Sequence, residues 1–306
     1  MSLVPELTLT GAEQQGQRFM THAGATSLQA LRKITATTLI KTSFTPNLII
    51  NNHTITRPPY DVYSKGAQNP VSLLIGSNAD EGQIFIAGHK ITPKNIDQVL
   101  EQEGFPNIMV WLLGPKTPAT DAEARAAAAN FNTDIRFRWD MWTWARLASK
   151  DNRQKIFLHK FDRVPPYPTG SIYAGLGAAH GMEMPYVFGH LDQRPAAWTA
   201  GDRRLSEDMS AYWTNFAKYG DPNGSGLPTW PEYSHANPQL MYLGLQLRPG
   251  PVENQAHLKQ IGRFYSVARF VMQHTYMVIT GAILLLIVII LALAMAIRRW
   301  RLQQTK

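Results

Sequence analysis

Two short stretches of the chain bring together side chains that could do acid–base chemistry. G-S-N-A-D-E-G, from Gly76 to Gly82, sets Asp80 and Glu81 just after the apolar run Val71–Ile75. G-L-G-A-A-H-G, from Gly175 to Gly181, carries His180 among Ala178, Ala179 and Gly181, small neighbours that let an imidazole approach a site closely. A carboxylate at the carboxyl end of a parallel strand can orient a histidine and stabilise its cation. Each stretch also has a plainer reading. Asp80 or Asn78 suits an N-cap for a helix beginning in G-Q-I-F-I-A-G, and spacing alone favours that reading. A single histidine among nine is usually a packed or surface residue. Glu183 stands three residues after His180, but no second such pair and no third ligand joins them, so no metal is expected.

The elements that must position these residues follow from periodicity and punctuation. P-V-S-L-L-I-G-S-N has no apolar/polar alternation and reads as a strand buried on both faces, as in a parallel sheet. Q-K-I-F-L-H-K-F is a second strand candidate. G-A-E-Q-Q-G-Q-R-F-M-T-H-A-G and S-L-Q-A-L-R-K-I-T-A-T-T-L-I-K read as two helices around a turn at residues 22–26, with Ser27 as N-cap of the second. Pro46, Pro58 and Pro59 forbid long elements between them and the first strand. Residues 93–103 read as a helix with Pro93 at its first position and Gly104 past its end. D-A-E-A-R-A-A-A-A-N-F-N-T-D-I-R-F-R-W-D-M-W-T-W-A-R-L-A-S-K is a long helical region. In D-R-R-L-S-E-D-M-S-A-Y-W-T-N-F-A-K-Y-G, Leu205, Met209, Tyr212 and Phe216 share one face and Gly220 closes the helix. Strands separated by helices predict an α/β fold.

Composition narrows the function. The chain has 306 residues, 44% hydrophobic and 17% charged, so most of it should fold. It has no cysteine, which excludes disulfides, thiolate metal sites and a cysteine nucleophile. Net charge is +8, but residues 298–306 hold four bases and no acid, leaving +4 for the rest. No basic stripe with interleaved aromatics appears, so nucleic acid is not an expected partner.

From Thr275 to Ile297 the chain is uncharged and apolar for 23 residues. That is enough to cross a hydrocarbon core, which needs about 20. Tyr276 and Trp300 flank it as interfacial aromatics. The expected organisation is therefore a main domain at 1–255, a juxtamembrane segment at 256–274, a transmembrane helix at 275–297 and a basic tail at 298–306. Lys259, Arg263 and Arg269 precede the span, and the denser basic cluster follows it. This bias favours a cytoplasmic tail and a main domain outside the cytoplasmic membrane. The first residues, M-S-L-V-P-E-L-T-L-T-G, do not read as an export signal.

Taken in order, G-S-N-A-D-E-G, the strand K-I-F-L-H-K-F-D-R-V-P-P, G-A-A-H-G-M-E-M-P-Y-V-F-G and Y-W-T-N-F-A-K-Y-G-D-P-N-G-S-G-L-P-T-W-P-E-Y resemble type-B carboxylesterases, the cholinesterase-like branch of the α/β-hydrolases. The resemblance covers roughly residues 10–245. It implies that Glu81 matches the triad acid of the D-E-G motif and His180 the triad histidine of H-G-x-E, in the acid-then-histidine order of that fold. It also implies acyl transfer on a small ester substrate, with no cofactor. The family's nucleophile precedes the acid in a G-x-S-x-G elbow, yet no serine here has glycine at both −2 and +2, and no Gly-Gly dipeptide offers an oxyanion loop. The fold expected is thus the C-terminal portion of an α/β-hydrolase, an incomplete, mostly parallel sheet with flanking helices, whose Val71–Ile75 strand has a bare neighbour position open to self-association. Two other readings fit the same residues: a non-catalytic, neuroligin-like interaction module, and one half of a split esterase. R-F-R-W-D-M-W-T-W-A-R, residues 136–146, could line an acyl pocket or pack Phe137, Trp139 and Trp142 into the core. Trp213 and Trp230 read as packing residues.

Overall fold

The computed structural model describes residues 7–44, 47–150, 153–277 and 279–280. The chain divides into two compact units, Met1–Leu258 and Lys259–Lys306. In the first, a short parallel pair, β1 (Leu7–Thr8) on β2 (Ile49–Ile50), precedes the main sheet. That sheet runs β3 (Leu73–Asn78), β4 (Ile156–Phe161), β5 (Gln239–Leu243) and β6 (Arg248–Pro251) in spatial order. The first two pairings are parallel, and only β6 turns back antiparallel on β5. Leu73 lies opposite Ile156 and Asn78 opposite Phe161, so both strands end together and deliver their loops to one edge.

β4 is a near-continuous apolar run and is buried accordingly, with Ile156, Phe157 and Phe161 at 0–1% exposure. Helix Ala200–Tyr219 packs Leu205, Met209 and Tyr212 into the same core as Phe157, Phe161, Met241 and Leu243. Each such side chain contributes about 1.5–3 kcal/mol by leaving water. Trp230 is buried among Phe157, Tyr212 and Trp213 and donates its indole N–H to the Leu158 carbonyl at 3.1 Å.

Several sequence expectations change. β3 is not buried on both faces: Leu73, Leu74 and Ile75 are only half-buried, because among the described residues β3 pairs on one side alone. Residues 27–41 form two helices, Leu28–Lys33 capped by Ser27 and Ala36–Lys41 capped by Thr35, since Thr35 offers a second cap in mid-run. The helix expected from Pro93 starts at Ile96, where Asn95 instead bonds back to Thr92 and Lys90. The long helical region is helix Asp121–Thr133, a π-helical turn Asp134–Arg138 and helix Trp139–Ala148. Of the two readings of residues 136–146, Trp139 and Trp142 follow the packing one and lie inward, but Phe137 stays half-buried.

Helix Gln255–Gln273 follows β6. The span expected at 275–297 lies, beyond its first few residues, outside the described residues. Among the described residues no helix is long and apolar enough to cross a membrane.

Candidate active site

The site begins where β3 ends. The Glu81 side chain folds back on the strand, and its Oε1 accepts the Asn78 backbone N–H at 2.8 Å. The residue is 5% exposed. Its second oxygen, Oε2, lies 2.7 Å from Nδ1 of His180. A carboxylate only accepts, so with Glu81 ionised Nδ1 carries the proton. The His180 side chain is 56% exposed, which leaves the far side of its ring reachable. Burial pushes the Glu81 carboxyl above its ordinary range, against the pull of the Asn78 amide and His180, and the nearby Glu183 adds to the rise.

The His180 loop is latched to the end of β3 by its backbone. Asp80 donates its N–H to the Ala178 carbonyl at 3.0 Å, and its Oδ2 accepts the Ala178 N–H at 2.8 Å. Asn78 Nδ2 donates to the Ala179 carbonyl at 2.7 Å and to Glu183 Oε2. Gly177 makes the approach possible: its φ is +69°, and a Cβ there would sit 2.3 Å from Asp80 Oδ2. The short helix Gln83–Ile86 has no side-chain cap, so Asp80 and Asn78 are not its caps. Both tie one loop to another.

A helix supports the arrangement from behind. The Gly82 N–H donates to Thr133 Oγ1 at 2.9 Å. A Cβ on Gly82 would lie 2.1 Å from the Ala129 carbonyl oxygen, so only glycine allows this contact. Arg138, paired with Asp134, reaches the Ala79 carbonyl at 3.4 Å. The Phe137 ring lies 5.0 Å from that of His180.

The two residues singled out from the sequence, 99 positions apart, therefore meet. Sequence reasoning missed the latching roles of Asp80 and Asn78 and the support from Thr133. The available signal was the opposite loop, G-L-G-A-A-H-G, which carries positive φ at Gly175, Gly177 and Gly181 and can approach another backbone. Chemically, a buried acceptor, an oriented imidazole and an accessible ring nitrogen make an acid–base pair able to move a proton for a nucleophile.

Comparison with known proteins places this geometry. The Carboxylesterase family matches residues 10–262. Para-nitrobenzyl esterase of Bacillus subtilis (strain 168) is 27% identical over 63% of this chain and 38% of its own length. Human cocaine esterase is 24% identical over 66% of this chain and 38% of its own length. Human bile salt-activated lipase is 27% identical over 62% of this chain and 27% of its own. The chain spans well under half the length of these curated relatives. A solved thermophilic PNB esterase superposes with a TM-score of 0.65 at 22% identity, over 84% of this chain and 55% of that one, which shows an α/β-hydrolase-like fold.

Proposed function

The chain belongs to the carboxylesterase family, and from that premise we propose that it carries the acid and the base of a carboxylic ester hydrolase site. The observation that carries this reading is the 2.7 Å bond between Glu81 and His180 at the end of a parallel strand. His180 accepts the proton of a serine attacking an ester carbonyl and returns it to the leaving alcohol. Glu81 holds the Nδ1–H tautomer and stabilises the imidazolium.

The serine is the part that this sequence of 306 residues does not offer in an elbow motif. We therefore propose that the chain alone is not competent, since loss of a triad member costs on the order of a million-fold in kcat. A nucleophile-bearing segment, in the same gene or another, completes the site on a small ester. The half-buried β3 supports this, because its free edge fits a further strand. The same edge also supports self-association when that segment is absent. The apolar stretch at 275–297 supports single-pass anchoring in a bilayer, with the basic tail cytoplasmic and the main domain outside.

Hydrolysis of a short-chain aryl ester by the purified full chain tests the reading. No turnover above a His180→Ala control is expected. Adding a polypeptide that carries the family's G-x-S-x-G segment should then produce His180-dependent turnover. Clear hydrolysis by the chain alone that depends on His180 overturns the proposal of incompetence. Restored turnover that ignores His180 overturns the assignment of the base.

A further inference from the structure

The π-helical turn behind the site also touches its histidine. Asp134–Arg138 interrupts two α-helical stretches, and such single π-turns inside α-helices are frequent at functional sites. Within this turn the side chains diverge. Ile135 is buried, and so is Trp139 just beyond it. The Arg136 guanidinium lies over the rings of Phe85 and Phe105, 4.5 and 4.6 Å from their centroids. Phe137 faces neither core nor open solvent. Its ring stands 5.0 Å from the His180 imidazole at 43°, and 6.1 Å from that of Phe85 at 41°.

A single hydrogen bond does not set an imidazole's plane. The Glu81 contact holds Nδ1, but with one hydrogen bond on a side chain 56% exposed, rotation about χ1 and χ2 can still tilt the ring. A contact on the body of the ring removes this freedom. Among the described residues, the aromatic ring packed on His180 is that of Phe137. Aromatic faces prefer tilted or edge-on arrangements over arbitrary ones, so a ring packed against the imidazole biases its plane.

We infer that Phe137 is a positioning residue for His180: its ring sets the plane of the imidazole while Glu81 holds Nδ1, so that Nε2 points in one direction. The inference rests on the acid–base reading of His180 for its purpose, but the contact can be read without turnover. Placement matters because a displacement of about 1 Å at a reacting group can cost on the order of a hundredfold in rate.

The test is NMR of the full chain in detergent micelles with labelled histidine, the His180 resonances being assigned with His180→Asn. In the parent chain the His180 ring protons should show a ring-current shift. Phe137→Leu should abolish it, and Phe137→Tyr should restore it. Phe105→Leu removes a buried aromatic that packs on Phe131 and under Arg136 but has no ring contact with His180 among the described residues, and should leave the signal unchanged. Unaltered His180 resonances in Phe137→Leu overturn the inference, as does equal loss of the shift in Phe105→Leu. Failure of the acid–base reading shows separately, as His180-independent turnover in the complemented ester assay, with the ring-current shift intact.

Discussion

Two buried carboxylates in this protein end up with opposite chemistry. Asp202, in the first turn of helix Ala200–Tyr219, is fully buried. It accepts from Arg163 Nε at 2.7 Å and Nη2 at 3.0 Å, from the Tyr186 hydroxyl at 2.8 Å, and from the Thr199 N–H at 3.0 Å and hydroxyl at 2.6 Å. Burial alone would raise its pKa, but the bonds from Arg163, Thr199 and Tyr186 more than offset this and hold it well below the usual range. Glu81 is buried almost as deeply, yet it accepts one backbone N–H and one half-exposed imidazole, and burial keeps its pKa raised. A carboxylate surrounded by donors is a pin. One left short of donors is poised to answer a change of charge on its partner, as the base-orienting role proposed for Glu81 requires.

Removing the pin should cost most. Asp202→Ala strands the partly buried Arg163 and the Tyr186 hydroxyl, and a loss of about 3 kcal/mol or more is expected in urea unfolding of the full chain in detergent. A loss below about 1 kcal/mol breaks the comparison from the Asp202 side. Gly177→Ala comes next. It forces a side chain into positive φ and against Asp80, at about 2 kcal/mol, and should loosen the His180 loop in hydrogen exchange at Ala178.

Glu81→Gln should act in the other direction. It keeps the shape and removes a poorly satisfied buried charge, so stability at pH 7 should hold or rise by about 0.5 kcal/mol. A loss as large as that of Asp202→Ala would make Glu81 a pin as well. The pH dependence sharpens the contrast. The raised folded pKa of Glu81 gives a contribution present below its ordinary 4.5 and lost as pH rises through the folded value. The depressed pKa of Asp202 gives one present above 3.8 and lost as pH falls through its lower folded value. Stability profiles of the two variants against the parent should therefore diverge on opposite sides of pH 4.

Much of the local structure was legible. The face carrying Leu205, Met209, Tyr212 and Phe216, with Gly220 closing the helix at φ +66°, lies where periodicity put it. So does β4. β5 and β6 were not read. Q-L-M-Y-L is short, and R-P-G-P carries residues that argue against a strand except at an edge, where β6 sits paired on one side. The π-helical turn left no trace in the pattern, because inserting one residue into a turn barely disturbs hydrophobic spacing over thirty. At the site, spacing favoured a helix cap for Asp80 and Asn78. Only the resemblance of long motifs pointed to Glu81 and His180.

The sequence by itself determined the strongly periodic elements, such as β4 and helix Ala200–Tyr219, that no thiol chemistry is available, and that an acidic pair follows an apolar strand. Those properties depend on neighbours a few residues away, and local dihedral preference and side-chain period encode them. Local pattern left open which of the two acids meets the histidine; motif resemblance pointed to Glu81, and the tertiary structure is what brings the two together. Asp80 turns to the Ala178 backbone and Glu81 to the imidazole. That choice depends on the register of β3 against β4 and on how closely Gly177 lets a loop approach from 99 residues away, and no local pattern carries such a distance.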